Sequence, residues 1–375
     1  STRPTLGTNR IAGCEPRHRD RDFPPRHAAH ACPTVIFVLR SWPAGRYRPI
    51  GAHCAGENAM TTILPRRRGL LGAACTLLAS PALAQRPGDA PPVPFSSGTD
   101  VPKLKAPPLA TDCHFHIYND KYPPAPGGLP APNASPADYR KLQARIGTTR
   151  GVIVQPSLYG VNNEPTLEGL RELGSNFRAV AVVNDKVTDA ELRRLHEAGV
   201  RGIRFNLAQA GATTPEMMEP LARRIKPMGW HIQINAPAAR IMELREQFNA
   251  LDATLVFDHL AHIPQPDGVN HPLFGQMKQL LAKGNTWVKL SGAYADTKSG
   301  PPGYSDSSAV AKAYAELRPD RMVWGSDWPH PTEAADKKPN DAVLLDLLEI
   351  WVPDPAQRRQ VLVDNPARLY DFPNG

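Results

Sequence analysis

Two imidazoles separated by a single residue, in Asp112-Cys113-His114-Phe115-His116, are the strongest chemical signal in this sequence. Side chains alternate faces along a strand, so His114 and His116 project into one site, which suits a metal ion or a developing oxyanion. Asp327, in residues 322–331 (MVWGSDWPHP), is a carboxylate flanked by Trp324 and Trp328. With the imidazoles it reads as a general base; the bland alternative is a helix cap. His259, in Phe257-Asp258-His259, reads as a third imidazole of the site, and Asp258, of opposite parity, as a brace for an imidazole or a loop. Arg204 has no evident acidic partner at its own strand end and suits a substrate carboxylate; the competing reading is a structural ion pair. Lys289 and His330 stay ambiguous between site and scaffold. His196 falls on a charged helix face, and His231 and His271 read as structural. Cys113 is expected to alternate outward as a small core residue.

These residues need elements that bring them together. Short β-rich runs recur at 109–117, 151–155, 178–183, 202–206, 231–235, 254–259, 287–291 and 322–327. Between them, 189–198, 215–228, 238–249, 274–283 and 307–317 carry helical spacing. Eight alternations of strand and helix predict parallel βαβ units closed into a (β/α)8 TIM barrel, a single α/β domain over 109–375. The competitor, an open doubly wound sheet, normally carries a Gly-rich phosphate turn after its first strand, and none is present. The barrel reading makes its own demand, because active sites of this fold sit at the C-terminal strand ends. The polar residues meet it: His114 and His116 on strand 1, Arg204 and Asn206 on strand 4, Gln233 and Asn235 on strand 5. His259, Lys289 with Ser291, and Asp327 close strands 6, 7 and 8.

The 375 residues carry a net charge of +8, all of it in residues 1–84, which hold twelve Arg and four acidic residues. The remainder is neutral, which removes the main support for nucleic-acid binding. Four of the five Cys also precede residue 85, so a disulfide framework is excluded from the folded part. Residues 1–59 show neither a strand nor a helix period, and translation is expected to start at Met60. Arg66-Arg67-Arg68 then precede sixteen uncharged residues, 69–84, ending in Ala82-Leu83-Ala84. A membrane span needs about 20 apolar residues. The segment 60–84 instead reads as a twin-arginine-like signal peptide, with a buried N-terminal helix as the competing reading. A periplasmic protein beginning at Gln85, without stable membrane association, is the expectation. Residues 85–108 are Pro-rich and read as an extended tether.

Six runs resemble a known family: DCHFH (112–116), GIRFN (202–206), DHLAHIP (258–264), VKLSGAY (288–294), VWGSDWPHP (323–331) and DNPARLYDF (364–372). In order and placement they are similar to the amidohydrolase-2 branch of the metal-dependent hydrolase superfamily, in particular its 2-pyrone-4,6-dicarboxylate lactonase-like members. The resemblance covers about 109–372. It implies a hydrolase of a cyclic carboxylic ester, a lactone. Residues matching His114, His116 and His259 would polarise the carbonyl, and the one matching Asp327 would activate water. A base walled by Trp is expected to have its pKa raised. Arg204, Asn206, Gln233, Asn235, Ser291, Tyr294, Trp328 and His330 form the expected substrate-binding set.

Two departures from the family pattern matter. Gln233 and Asn235 stand where firm metal sites place a strand-5 His, and Arg204 stands for a strand-4 Lys or Glu, so a binuclear centre is not expected. No metal is required on this reading, although one Zn²⁺ on His114, His116 and Asp327 stays open. Ala210 and Ala295 occupy later positions where the dicarboxylate lactonases carry arginines, so a diacid would leave a carboxylate unpaired. The expected substrate is a small lactone or carboxylic acid with one carboxylate or none. A metal-dependent decarboxylase and a non-catalytic solute-binding barrel are the alternatives, and a homo-oligomer is compatible with all three.

Overall fold

A computed structural model describes residues 91–128, 131–208 and 211–373. The expectations for 1–59, the signal peptide and Gln85 lie outside the described residues. Eight parallel strands are hydrogen-bonded in chain order: β1 (Thr111–Phe115), β2 (Arg150–Val154), β3 (Phe177–Ala181), β4 (Val200–Asn206), β5 (His231–Asn235), β6 (Leu255–Phe257), β7 (Thr286–Leu290) and β8 (Met322–Trp324). Helices alternate with them, giving the (β/α)8 barrel. No described helix is long and apolar enough to cross a membrane.

Local chemistry starts and stops these helices. Before Pro136–Ile146, the Ser135 side chain accepts from the Asp138 N–H, a proline opens the first turn, and Gly147 ends the helix at φ 78°. Thr188 caps Asp189–Glu197 in the same way. The run expected as one helix over 238–249 is two, Ala238–Glu243 and Arg245–Ala250, joined at Leu244.

Period two sorts the strands into two cores. Val152, Val154, Val180, Val256 and Val323 pack together, while Ile153, Ile203, Phe205, Ile232, Ile234 and Phe257 belong to the larger core shared with the helices. Both faces are therefore buried, which stabilises by about 25 cal/mol per Å² of apolar surface removed from water. Cys113 breaks the expected pattern: it lies with the small valines rather than outward. The cause is a bulge in β1, where Asp112 pairs with Gly151 but Phe115 pairs with Ile153, so three steps oppose two. Asp112 is thereby turned to the Tyr139 hydroxyl, 3.1 Å away.

The seam between β8 and β1 is closed above β8 itself. The Asp327 N–H donates to the His114 carbonyl at 2.7 Å, and the His116 N–H donates to the Trp328 carbonyl at 2.8 Å. Gly325 permits this approach, because a Cβ there would stand 2.6 Å from His114 Cβ and 2.8 Å from its nitrogen. The described part of the expected tether lies along the barrel. Trp328 Nε1 donates to the Pro94 carbonyl at 2.7 Å, Arg145 Nε to the Asp100 carbonyl at 2.8 Å, and the Leu104 N–H to Asp346 at 2.9 Å.

Candidate active site

Strands 6 and 8 are shorter than expected, so His259 and Asp327 lie in the turns beyond them. Both take left-handed backbone, φ 48° at His259 and φ 66° at Asp327. Such non-glycine conformations cost of order 1–3 kcal/mol each and persist where surroundings enforce them. These turns, not strand parity, aim the two side chains.

They aim them at the imidazole pair. His114 Nε2 lies 3.3 Å from His116 Nε2, and each lies 3.4 Å from Asp327 Oδ1. His259 Nε2 is 3.7 Å from the same oxygen. The far side of each ring is occupied: His116 Nδ1 donates to the Val154 carbonyl at 2.7 Å, and His259 Nδ1 meets Ser291 Oγ at 3.0 Å. His114 Nδ1 is 3.3 Å from Asp258 Oδ1. His116 Nδ1 faces a carbonyl and so carries its hydrogen, and a neutral His116 ring then presents its Nε2 lone pair to Asp327, whose Oδ1 has no hydrogen-bond partner among the described residues.

Burial, and secondarily Lys289, holds His114 well below the usual imidazole range, and burial brings His259 down to about 4. Burial pushes Asp327 upward, but His259, His116 and His114 together hold it well below the usual carboxylate range. This corrects the expected rise: burial acts in the expected direction, but the three imidazoles outweigh it, and the tryptophans are not what buries the carboxylate. Trp324 and Trp328 are both buried in the outer core. The Trp328 ring stacks edge-on against Phe95 and Tyr139 and does not line the cavity.

A cavity of about 1060 Å³ opens above these groups, lined by His116, Arg204, Asn206, Asn235, His259 and Asp327 among others. The remaining members of the expected binding set do not line it. Gln233 is fully buried beneath, donating to Asp258 at 3.1 Å and accepting from Lys289 at 2.8 Å. Ser291 holds His259. Tyr294 spends its hydroxyl on Asp327 Oδ2 at 2.5 Å, and His330 binds Tyr294 at 3.0 Å and Asp341 at 3.1 Å. Lys289 is likewise scaffold, wholly buried and donating to the Cys113 carbonyl at 2.9 Å.

Arg204 does have an acidic partner, supplied from just beyond β6, two strands away: its Nε donates to Asp258 Oδ2 at 3.2 Å. That bond fixes one edge of the guanidinium while the side chain still lines the cavity. Asp258 points into the barrel, not away from it. Its burial raises its pKa, yet His114, Lys289 and Arg204 hold it well below the carboxylate range.

Tyr118 and His262 are among the lining residues that escaped sequence reasoning. Tyr118 continues the parity of His114 and His116, a usable signal. His262, the second imidazole of DHLAHIP, joins Asn235 at 2.9 Å and Asp296 at 2.9 Å. Ala295 lines the cavity, as expected of a position lacking an arginine; Ala210 lies outside the described residues.

The superfamily implies a metal, and the donor set fits one. Tetrahedral Zn²⁺ with bonds of about 2.0–2.1 Å spaces its ligand atoms roughly 3.3–3.4 Å apart. The triangle of His114 Nε2, His116 Nε2 and Asp327 Oδ1 has edges of 3.3, 3.4 and 3.4 Å. His114, His259 and Asp327 form an overlapping ligand set within 4.8 Å.

A family model described as Amidohydrolase matches residues 111–372. The 2-pyrone-4,6-dicarboxylate hydrolase of Comamonas testosteroni is 36% identical over 283 residues, covering 72% of this chain and 92% of that protein. A 4-sulfomuconolactone hydrolase of Rhizobium radiobacter is 32% identical over 273 residues, covering 70% and 89%. Among solved structures, a probable 2-pyrone-4,6-dicarboxylic acid hydrolase from Acinetobacter baumannii, with citric acid bound, superposes with a TM-score of 0.61 at 25% identity. It covers 70% of this chain and 100% of that one. With a matching family model across nearly the whole barrel, the chain belongs to the amidohydrolase family.

Proposed function

We infer that this amidohydrolase hydrolyses a lactone, using Asp327 as the base. The observation that carries the reading is Asp327 Oδ1, without a hydrogen-bond partner among the described residues, buried at the cavity floor and facing three imidazoles. The lactone hydrolases among its relatives supply the substrate class.

Asp327 is ionised at neutral pH and its Oδ2 is taken by Tyr294. Oδ1 is left to accept a proton from the attacking water. Water oxygen bonds the lactone carbon, the bond to the ring oxygen breaks, and Asp327 returns the proton to that leaving oxygen. Arg204, held by Asp258 through Nε, turns its remaining N–H groups to a substrate carboxylate. A divalent ion held by His114, His116 or His259, and Asp327 would polarise the carbonyl, which neutral rings presenting lone pairs do not do well. One bound carboxylate and export to the periplasm complete the reading. The first is supported by Arg204 and Ala295, the second by residues 60–84.

The test is a pH-indicator screen of mono- and dicarboxylate lactones, with metal analysis of the purified protein and a chelator arm. Ring opening by the wild type and not by Asp327→Asn supports the reading. Carbon dioxide release from a carboxylic acid, with no lactone opened, favours the decarboxylase instead. Loss of activity on chelation, restored by Zn²⁺, makes the metal functional; activity retained in metal-free protein removes it.

A further inference from the structure

Behind Asp327, away from the cavity, four side chains form an unbroken line. Tyr294 hydroxyl meets Asp327 Oδ2 at 2.5 Å, His330 Nδ1 meets the Tyr294 oxygen at 3.0 Å, and His330 Nε2 meets Asp341 Oδ2 at 3.1 Å. His330 and Asp341 are both wholly buried. Asp341 opens the helix Asp341–Asp346, and its Oδ1 makes no hydrogen bond among the described residues. A buried carboxylate with an idle oxygen is a poor packing element, so its place at the end of this line calls for another reason.

Counting protons supplies one. A phenol has a single hydrogen, and an ionised Asp327 can only accept, so the Tyr294 proton lies on the Asp327 side. The phenol oxygen must then accept from His330, which places a hydrogen on Nδ1. On its other side His330 Nε2 meets Asp341 Oδ2, so the ring is held at both nitrogens. Without the Asp341 carboxylate the ring is free to turn or to present Nδ1 without its hydrogen. Tyr294 then loses the donor that directs its own proton to Asp327.

We propose that His330 and Asp341 are positioning residues that act through Tyr294, keeping its proton on Asp327 Oδ2 so that Oδ1 alone faces the reacting water. The proposal deepens the lactonase reading and rests on it for its kinetic consequence. Neither residue touches the cavity. Their effect therefore falls on kcat and not on substrate binding.

The experiment is a double-mutant cycle on the best lactone substrate, with Tyr294→Phe, Asp341→Asn and the pair, each checked by thermal unfolding. Each single change is expected to lower kcat by about 10–100-fold, the usual scale for a partner one layer removed, with KM nearly unchanged. In the Tyr294→Phe background, Asp341→Asn is expected to cost nothing more. Equal losses in both backgrounds, or an unchanged kcat in Asp341→Asn, overturn the proposal. If Asp341→Asn does not fold, His330→Asn takes its place in the cycle.

Proton NMR of the intact chain gives a readout independent of turnover. A His330 Nδ1–H resonance, identified by its loss in His330→Asn, should shift in Tyr294→Phe. Its absence from the wild type overturns the proposal whether or not a lactone is opened. Its presence in a chain that opens no lactone supports the line and sinks the lactonase reading instead.

Discussion

Asp327 and His114 meet twice. The Asp327 N–H donates to the His114 carbonyl at 2.7 Å, and the Asp327 carboxylate stands 3.4 Å from the His114 imidazole. One of the two backbone bonds that close the barrel seam therefore also sets the distance between base and imidazole. Fold closure and site geometry are here the same interaction, so damage to the seam reaches the chemistry directly.

Gly325 tests that coupling. An added methyl would stand 2.6 Å from His114 Cβ and 2.8 Å from its backbone nitrogen, with no flexible side-chain end to yield. Gly325→Ala should destabilise by about 1–3 kcal/mol, the usual cost of overpacking, and lower kcat more than KM. Chemical denaturation and steady-state kinetics read the two effects. Unchanged values of both would separate the seam from the site.

Asp327→Asn keeps shape and removes the base. Turnover should fall by about 10²–10⁴, the range for a positioned general base, while a carboxylate product still binds. Isothermal titration with the product, beside the kinetics, distinguishes lost chemistry from lost binding.

Arg204→Lys keeps the charge and loses the planar fork. Its expected mark is a raised KM for lactones carrying a carboxylate, about tenfold, with little change for uncharged lactones. Equal effects on both substrate types would mean that Arg204 serves only its ion pair with Asp258. In the wild type, monoacid lactones should be turned over more efficiently than diacids; a preference for diacids would show that a second cation is at work.

Acid should loosen the fold through its buried histidines. Burial brings His231 down to about 3 and His259 to about 4, against 6.5 for an unfolded chain. Between pH 6.5 and 4 the unfolded chain takes up protons that these rings refuse, so stability falls as pH falls. Asp112, raised to about 6 by burial, opposes this over part of the window. His231 does not line the cavity, and its two ring nitrogens lack hydrogen-bond partners among the described residues. His231→Phe should therefore flatten the dependence of unfolding free energy on pH by about 1.4 kcal/mol per unit, one proton's worth. Parallel curves for the two proteins would refute the assignment.

The barrel, its eight strands and the inward parity of Arg204, Asn206, Gln233, Asn235 and Lys289 were legible because alternation along a strand is local. The neutrality of the folded part and the absence of a disulfide framework were legible too, from counting alone. Height within the barrel was not. Gln233 and Lys289 share the parity of Arg204 and Asn235 yet lie beneath the floor, because strand tilt and stagger decide which layer an inward residue enters. The aim of His259 and Asp327 came from left-handed turns, and the inward place of Cys113 from a bulge, neither of which a period can announce. Partnership was least legible of all. Arg204 with Asp258, and Asp327 with Tyr294, join residues 54 and 33 positions apart, and such hydrogen bonds exist only once the cylinder has closed.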